Sequence, residues 1–232
     1  FAALHWAIQE GHMTIVTLLL DHGADINLPN QDGMTPLHIA LYDRKSEIAL
    51  LLMERGAYLD LTGDGFTALH LIAGRSGNKK ILRKLVQDIE LLHERTEEGE
   101  GLTPLHVAAQ AGKAKKVTLL LEAGADIEAE GSEGVTPLYL AVENNHPKAV
   151  KALLKAGADS ETSHPSEAGA TVLTLASANG YERIVRMLLS YGADPLHRDA
   201  EGHSARDIAI ENEHHQIAEI LRQKEIDARE RE

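Results

Sequence analysis

The chain has no cysteine, which excludes disulfides and thiolate chemistry and is compatible with an intracellular protein. It has no apolar run near the roughly 18 residues a membrane-crossing helix needs. Its start lacks the charged n-region and cleavage pattern of a secretory leader. Aromatic residues make up only 3%, so a core has to be assembled from Leu, Val, Ile and Ala. Positive charge is scarce as well, with 23 Lys plus Arg against 36 Asp plus Glu and a net charge of −13. That balance argues against a general nucleic-acid binder, which needs a basic footprint. It favours solubility and basic partners.

Signatures of chemistry are missing too. There is no G-x-S-x-G elbow, Walker loop or dinucleotide fingerprint. GEG at 99–101 is followed by no GK[ST], and GRSGNKK at 74–80 has the wrong glycine spacing for a phosphate loop. Acid–base catalysis needs two carboxylates held in one pocket, and nothing in the sequence assembles one. The thirteen histidines lie apart or in turns. His203, His214 and His215 form a loose group, but adjacent helical residues point about 100° apart and no HExxH is present. No enzyme activity, cofactor or metal is expected.

What the sequence does have is repetition. GLTPLHVAAQAGKAKKVTLLLEAGADIEAE at 101–130 is echoed by five further stretches, aligned on Leu4, Leu37, Leu69, Leu105, Leu138 and Leu173. A weaker seventh copy puts Arg206 at that place. The steps are 33, 32, 36, 33, 35 and 33 residues. Within one copy, Thr103 is a plausible N-cap and Pro104 suits the first helical position. Leu105, Ala108 and Ala109 share a helix face, and Gly112 stops that helix. Val117, Leu120 and Leu121 repeat the pattern up to Gly124.

A period near 33 with TPLHxA or a variant of it in each copy resembles the ankyrin repeat, and the resemblance covers essentially the whole chain. It implies an all-α ankyrin-repeat solenoid of helix-turn-helix units with finger-like β-turn loops. Such units bury their apolar faces only against each other. One domain over 1–232 is expected, with repeats near 1–29, 30–61, 62–97, 98–130, 131–163, 166–198 and 199–232. Phe1 falls inside the TPLH segment of the first copy, so a longer parent protein is expected. Arg206, Asp207 and the charged RQKEIDARERE read as a polar cap. Copy three has one extra residue in GRSGN and replaces its GAD turn by QDIELLHERTEEGEG, and SHPSEAGA precedes copy six. Altered curvature or mobile loops are expected there.

The resemblance also implies structural roles for His5, His38, His70 and His106, bonding between neighbouring units, and a binding surface on the concave face. That surface comprises the fingers before TPLH and the outward residues of the first helices. The residue just before TPLH is Met34, Phe66, Leu102, Val135, Ala170 and His203 in turn. The first four present a run of large apolar side chains, read as a contact stripe; the alternative is that they fold back onto neighbouring fingers. Tyr42 and Tyr191 are added as aromatic anchors. Acidic residues accompany them: Asp32, Asp64, Glu100, Glu133, Glu167 and Glu201 on the fingers, and Glu10, Asp43, Glu143 and Glu211 on first helices. Only Arg55 and Arg75 oppose them.

An acidic groove with an apolar floor suits a basic, partly hydrophobic protein or peptide, although acids also favour turns and solubility. The expected function is therefore a monomeric, non-catalytic protein-interaction scaffold. A recruiting module of a larger enzyme, channel or effector is the competing class. Lys79, Lys80, Arg83, Lys84, Lys113, Lys115, Lys116, Lys148, Lys151, Lys155, Arg183 and Arg186 gather on second helices. They make either a solvated face or a ridge for anionic lipid or an acidic partner. Trp6 stands where other copies hold Ile39 or Leu140, and core packing is expected. Asn27 in GADIN resembles the asparagine that oxygen-dependent hydroxylases modify in some ankyrin proteins.

Overall fold

Thr35, Thr67 and Thr136 accept hydrogen bonds from the amides of His38, His70 and Tyr139, three residues on. An N-cap of this kind satisfies one of the free amides of a helix's first turn. Pro36 and Pro137 then occupy first-turn positions where no N–H is missed. Helices accordingly begin where the TPLH segments place them. These contacts come from a computed structural model describing residues 2–59, 65–96, 101–132, 134–164 and 169–230.

Fifteen helices form among the described residues, in two compact units, Phe1–Pro104 and Leu105–Glu232. Unit one contains α1 (Ala3–Glu10), α2 (Met13–Asp21), α3 (Pro36–Tyr42), α4 (Ser46–Glu54), α5 (Ala68–Gly74), α6 (Lys79–Leu85) and α7 (Ile89–His93). Within it α1, α3 and α5 pack in one row, and α2, α4 and α6 in another. Unit two runs from α8 (Pro104–Gln110) and α9 (Ala114–Glu122) through α10 (Pro137–Glu143), α11 (Pro147–Ala156), α12 (Val172–Ala178) and α13 (Glu182–Ser190) to α14 (Ala205–Glu211) and α15 (His215–Arg229). Here α10, α12 and α14 form one row and α9, α11, α13 and α15 the other. Extended pairing among the described residues is limited to two isolated bridges, Ser163 with Thr171 and Arg198 with Ser204. The fold is all-α.

Every helix pair bends through a left-handed residue. Gly112 does so in the α8–α9 turn, with φ +66°, and a Cβ there would lie 2.7 Å from the His146 ring of the next pair. Arg44, Asn145 and Glu213 adopt the same conformation at matching places, where a side chain costs about 1–2 kcal/mol. Gly112→Ala adds a collision with His146 to that cost. It is expected to destabilise the protein by about 2–3 kcal/mol in urea unfolding, and His146→Ala in the same chain should restore part of the loss.

The insertion in copy three differs from the loop expected of it. Residues 89–93 form helix α7, capped by Asp88 and anchored by buried Leu91 and Leu92. GRSGN does lengthen the turn, leaving four residues between α5 and α6 against three between α3 and α4. In SHPSEAGA, Ser163 bridges to Thr171 and His164 is buried; residues 165–168 lie outside the described part. Trp6 is 57% exposed rather than packed in the core. Lys116, read with the basic ridge, is instead buried. It occupies the third position of α9, held by buried Ile48, Ile81, Ala149, Ile184 and Ile217 in α4, α6, α11, α13 and α15.

Candidate protein-interaction face

Histidine builds the scaffold beneath the fingers. The His70 Nδ1 accepts from the Thr67 amide (3.2 Å) while Nε2 lies 2.9 Å from the Leu102 carbonyl. That pattern assigns the neutral Nε2–H tautomer, donating to the next finger. His106 makes the same contact with the Val135 carbonyl at 2.8 Å, and His5 with Leu28 at 2.8 Å. In the last pair Asp207 replaces the histidine. Its carboxylate accepts from the Ser204 amide and hydroxyl and from Arg198. The Ser204 backbone bond, foremost, holds this carboxyl below its usual range, with Ser204 hydroxyl and Arg198 assisting.

Leu102 and Val135 are buried, so they are not exposed members of a contact stripe. Their carbonyls are held by His70 and His106, and their side chains are enclosed. Leu102 is further fixed by Thr96, which bonds both its amide and its carbonyl. Met34 and Phe66 are half-buried. Asn30 shapes the Met34 finger, its Oδ1 accepting from the amides of Asp32 (3.0 Å) and Met34 (2.9 Å). Phe66 sets its ring edge-on to His70, with centroids 5.8 Å apart.

At the far ends of the same two helices stand Tyr42 and Arg75. The Arg75 guanidinium lies 3.8 Å from the Tyr42 ring centroid, and its Nη1 donates to the Tyr42 carbonyl at 2.8 Å. One arginine thus bridges α3 and α5 and orders a tyrosine that remains 51% exposed. Asp32 is exposed and Asp43 half-buried on this side. The packed pair α3–α5 therefore brings together Met34, Phe66, Tyr42, Arg75, Asp32 and Asp43. The pairing of Tyr42 with Arg75, one repeat further on, escaped sequence reasoning; their separation of 33 residues was the available signal.

Other candidates fall elsewhere. Asp64, Glu100, Glu133 and Glu167 lie outside the described residues. Glu143 is exposed at the end of α10 in unit two, 3.5 Å from the Asn144 amide. Tyr191 caps the C-terminal end of α13, a second helix, and does not join the fingers. Arg55 likewise caps α4 and pairs with Asp21 at 2.8 Å, so it does not oppose the acids of the first-helix face. Asn27 is half-buried and its Oδ1 accepts from the Tyr58 amide at 2.8 Å. Helix α7 frames an open groove of about 600 Å³ lined by Met53, Ala57, Leu59 and Ile89 with Lys84, Asp88 and Glu90. Among the described residues no group of three His, Asp or Glu could hold a metal ion, and no helix is long and apolar enough to cross a membrane.

Stacked helix pairs that hold finger residues and helix ends to one side define a helical-repeat scaffold for protein interaction. The chain belongs to the ankyrin-repeat family: the family model "Ankyrin repeats (3 copies)" matches residues 1–63, 69–164 and 160–232. Its fold is shared with the crystal structure of the ankyrin repeat domain of Bcl-3, at a TM-score of 0.80 and 31% identity, covering 96% of this chain and 98% of that one. Among curated relatives, the putative palmitoyltransferase ZDHHC13 of Danio rerio is 34% identical over 128 residues, 55% of this chain and 20% of that protein. The E3 ubiquitin-protein ligase XBAT32 of Arabidopsis thaliana is 34% identical over 152 residues, 53% of this chain and 30% of that protein. The chain thus matches under a third of either relative's length.

Proposed function

We propose that the chain is one array of seven ankyrin repeats that captures a basic, partly apolar segment of another protein. It acts as a monomer and performs no catalysis itself. The observation carrying this reading is the exposed Tyr42, stacked on Arg75 across two first helices. A tyrosine already ordered by a cation–π contact and a bridging arginine loses little entropy on binding. Tyrosine and arginine are also the usual anchors of interface centres. Met34 and Phe66 supply apolar contact at the other ends of α3 and α5, and Asp32 and Asp43 attract a basic partner.

Peptide-display selection on the purified chain, with a Tyr42→Ala/Phe66→Ala control, tests this. Basic, hydrophobic peptides that the control loses support it; peptides retained equally by both proteins contradict it. For a selected peptide, Tyr42→Ala alone is expected to cost about 1 kcal/mol or more, roughly a fivefold rise in Kd. Affinity should also fall with added salt.

The size of the relatives favours one second reading. In a longer protein, the same face would recruit substrate for a catalytic domain elsewhere in the chain. A parent reading frame encoding a folded enzymatic domain supports that reading; one without such a domain removes it.

A further inference from the structure

A row of cations on the second helices of unit two takes no part in the face described above. Lys115, Lys148 and Arg183 each hold the second position of their helix, in α9, α11 and α13, and all three are exposed. The helices lie side by side, α9 on α11 and α11 on α13. The starts of α9 and α11 are level, because His146, leading into α11, packs on Gly112, leading into α9. Packed helices sit about 10 Å apart, so the row is about 20 Å long. Lys151 stands one turn further along α11. Arg186, one turn along α13, is occupied by Glu182 at 2.7 Å. Lys115, Lys148, Lys151 and Arg183 have no ion-pair partner among the described residues.

Helix stability does not account for this placement. A cation in the first turn opposes the positive end of the helix dipole, where an acid is favoured. Acids outnumber bases in this chain, and α4 does carry Glu47 at the same position. Three successive second helices therefore carry a cation in the first turn, unaccompanied by an acid in α9 and α11 and beside Glu182 in α13.

We propose that this row docks a short acidic segment of a partner protein. A segment in polyproline-II conformation advances about 3.1 Å per residue with three residues per turn, so an acid at every third residue lies on one face and meets successive rungs about 9 Å apart. The net charge of −13 selects against larger polyanions. A short segment senses only charges within the Debye length of about 8 Å, whereas a bilayer or long nucleic acid meets the repulsion of the whole molecule. No large apolar side chain is exposed on α9, α11 or α13 to insert among lipids.

The test is a fluorescent peptide with glutamate at every third position in a Gly-Ser background, titrated at low salt by anisotropy. It is run against the wild-type chain, Lys115→Gln/Lys148→Gln/Arg183→Gln and Tyr42→Ala. Phosphatidylserine vesicles and a single-stranded oligonucleotide are run in parallel. The triple variant, whose changes are all exposed, is expected to bind the peptide roughly tenfold or more weakly, with Tyr42→Ala unchanged. Absence of peptide binding, equal binding by the triple variant or loss in Tyr42→Ala would overturn the proposal. So would tighter binding of vesicles or oligonucleotide than of peptide.

Discussion

His70→Leu is expected to destabilise the protein by about 2–4 kcal/mol. His70 is fully buried, and its ring serves Thr67 on one side and the Leu102 carbonyl on the other. Leucine fills much of the space but cannot bond either group. A buried carbonyl left without a donor costs about 1–3 kcal/mol, and the weakened helix cap adds to this. The change also removes the ring that Phe66 meets edge-on, so ligand affinity at the Met34–Phe66 side should fall with stability. Urea unfolding followed by circular dichroism measures the first effect; a loss below about 0.5 kcal/mol would show that the bridging role is wrong.

The second large effect has the opposite sign. Lys116→Met is expected to stabilise the protein by on the order of 1–3 kcal/mol at neutral pH. Burial chiefly, and the nearby charge of Lys113, push the Lys116 ammonium from its usual 10.5 down to about 8. The folded state therefore disfavours the charged form, while the unfolded chain accepts it. Below pH 8 the ammonium is charged in both states and the penalty is fully present. Between pH 8 and 10.5 the unfolded chain binds more protons than the folded one, so this residue's contribution to stability improves as pH rises. The gain from Lys116→Met should thus shrink across that window. A gain that is absent, or constant from pH 7 to about 10, would contradict the burial account.

The two cases show what the sequence displays and what it conceals. TPLH spacing locates the helix starts because threonine, proline and histidine each act within three residues of one another. The role of His70 follows from the same local motif. Lys116 is harder to read: within α9 it belongs to a run of lysines, and only alignment with Ile48, Ile81, Ala149 and Ile184 marks its position as interior. Leu102 and Val135 mislead for a related reason. Their place before TPLH marks a finger, but whether the side chain is buried depends on packing between helix pairs that the local motif does not encode. The Tyr42–Arg75 contact requires packing between α3 and α5 that no local pattern encodes. Helix α7 was hidden by its context, since five residues within an acidic stretch carry too little periodicity to separate helix from loop.

The most direct measurement is a hydrogen-exchange footprint of the chain with and without a peptide from the selection. A ligand on the proposed face should slow exchange in the Asn30–Met34 finger, at the end of α3 around Tyr42 and near Phe66 and Arg75, leaving α4 and α6 unchanged. Protection confined to α4 and α6, with the Tyr42 and Phe66 regions unaffected, would place the partner on the opposite helix row and contradict the account.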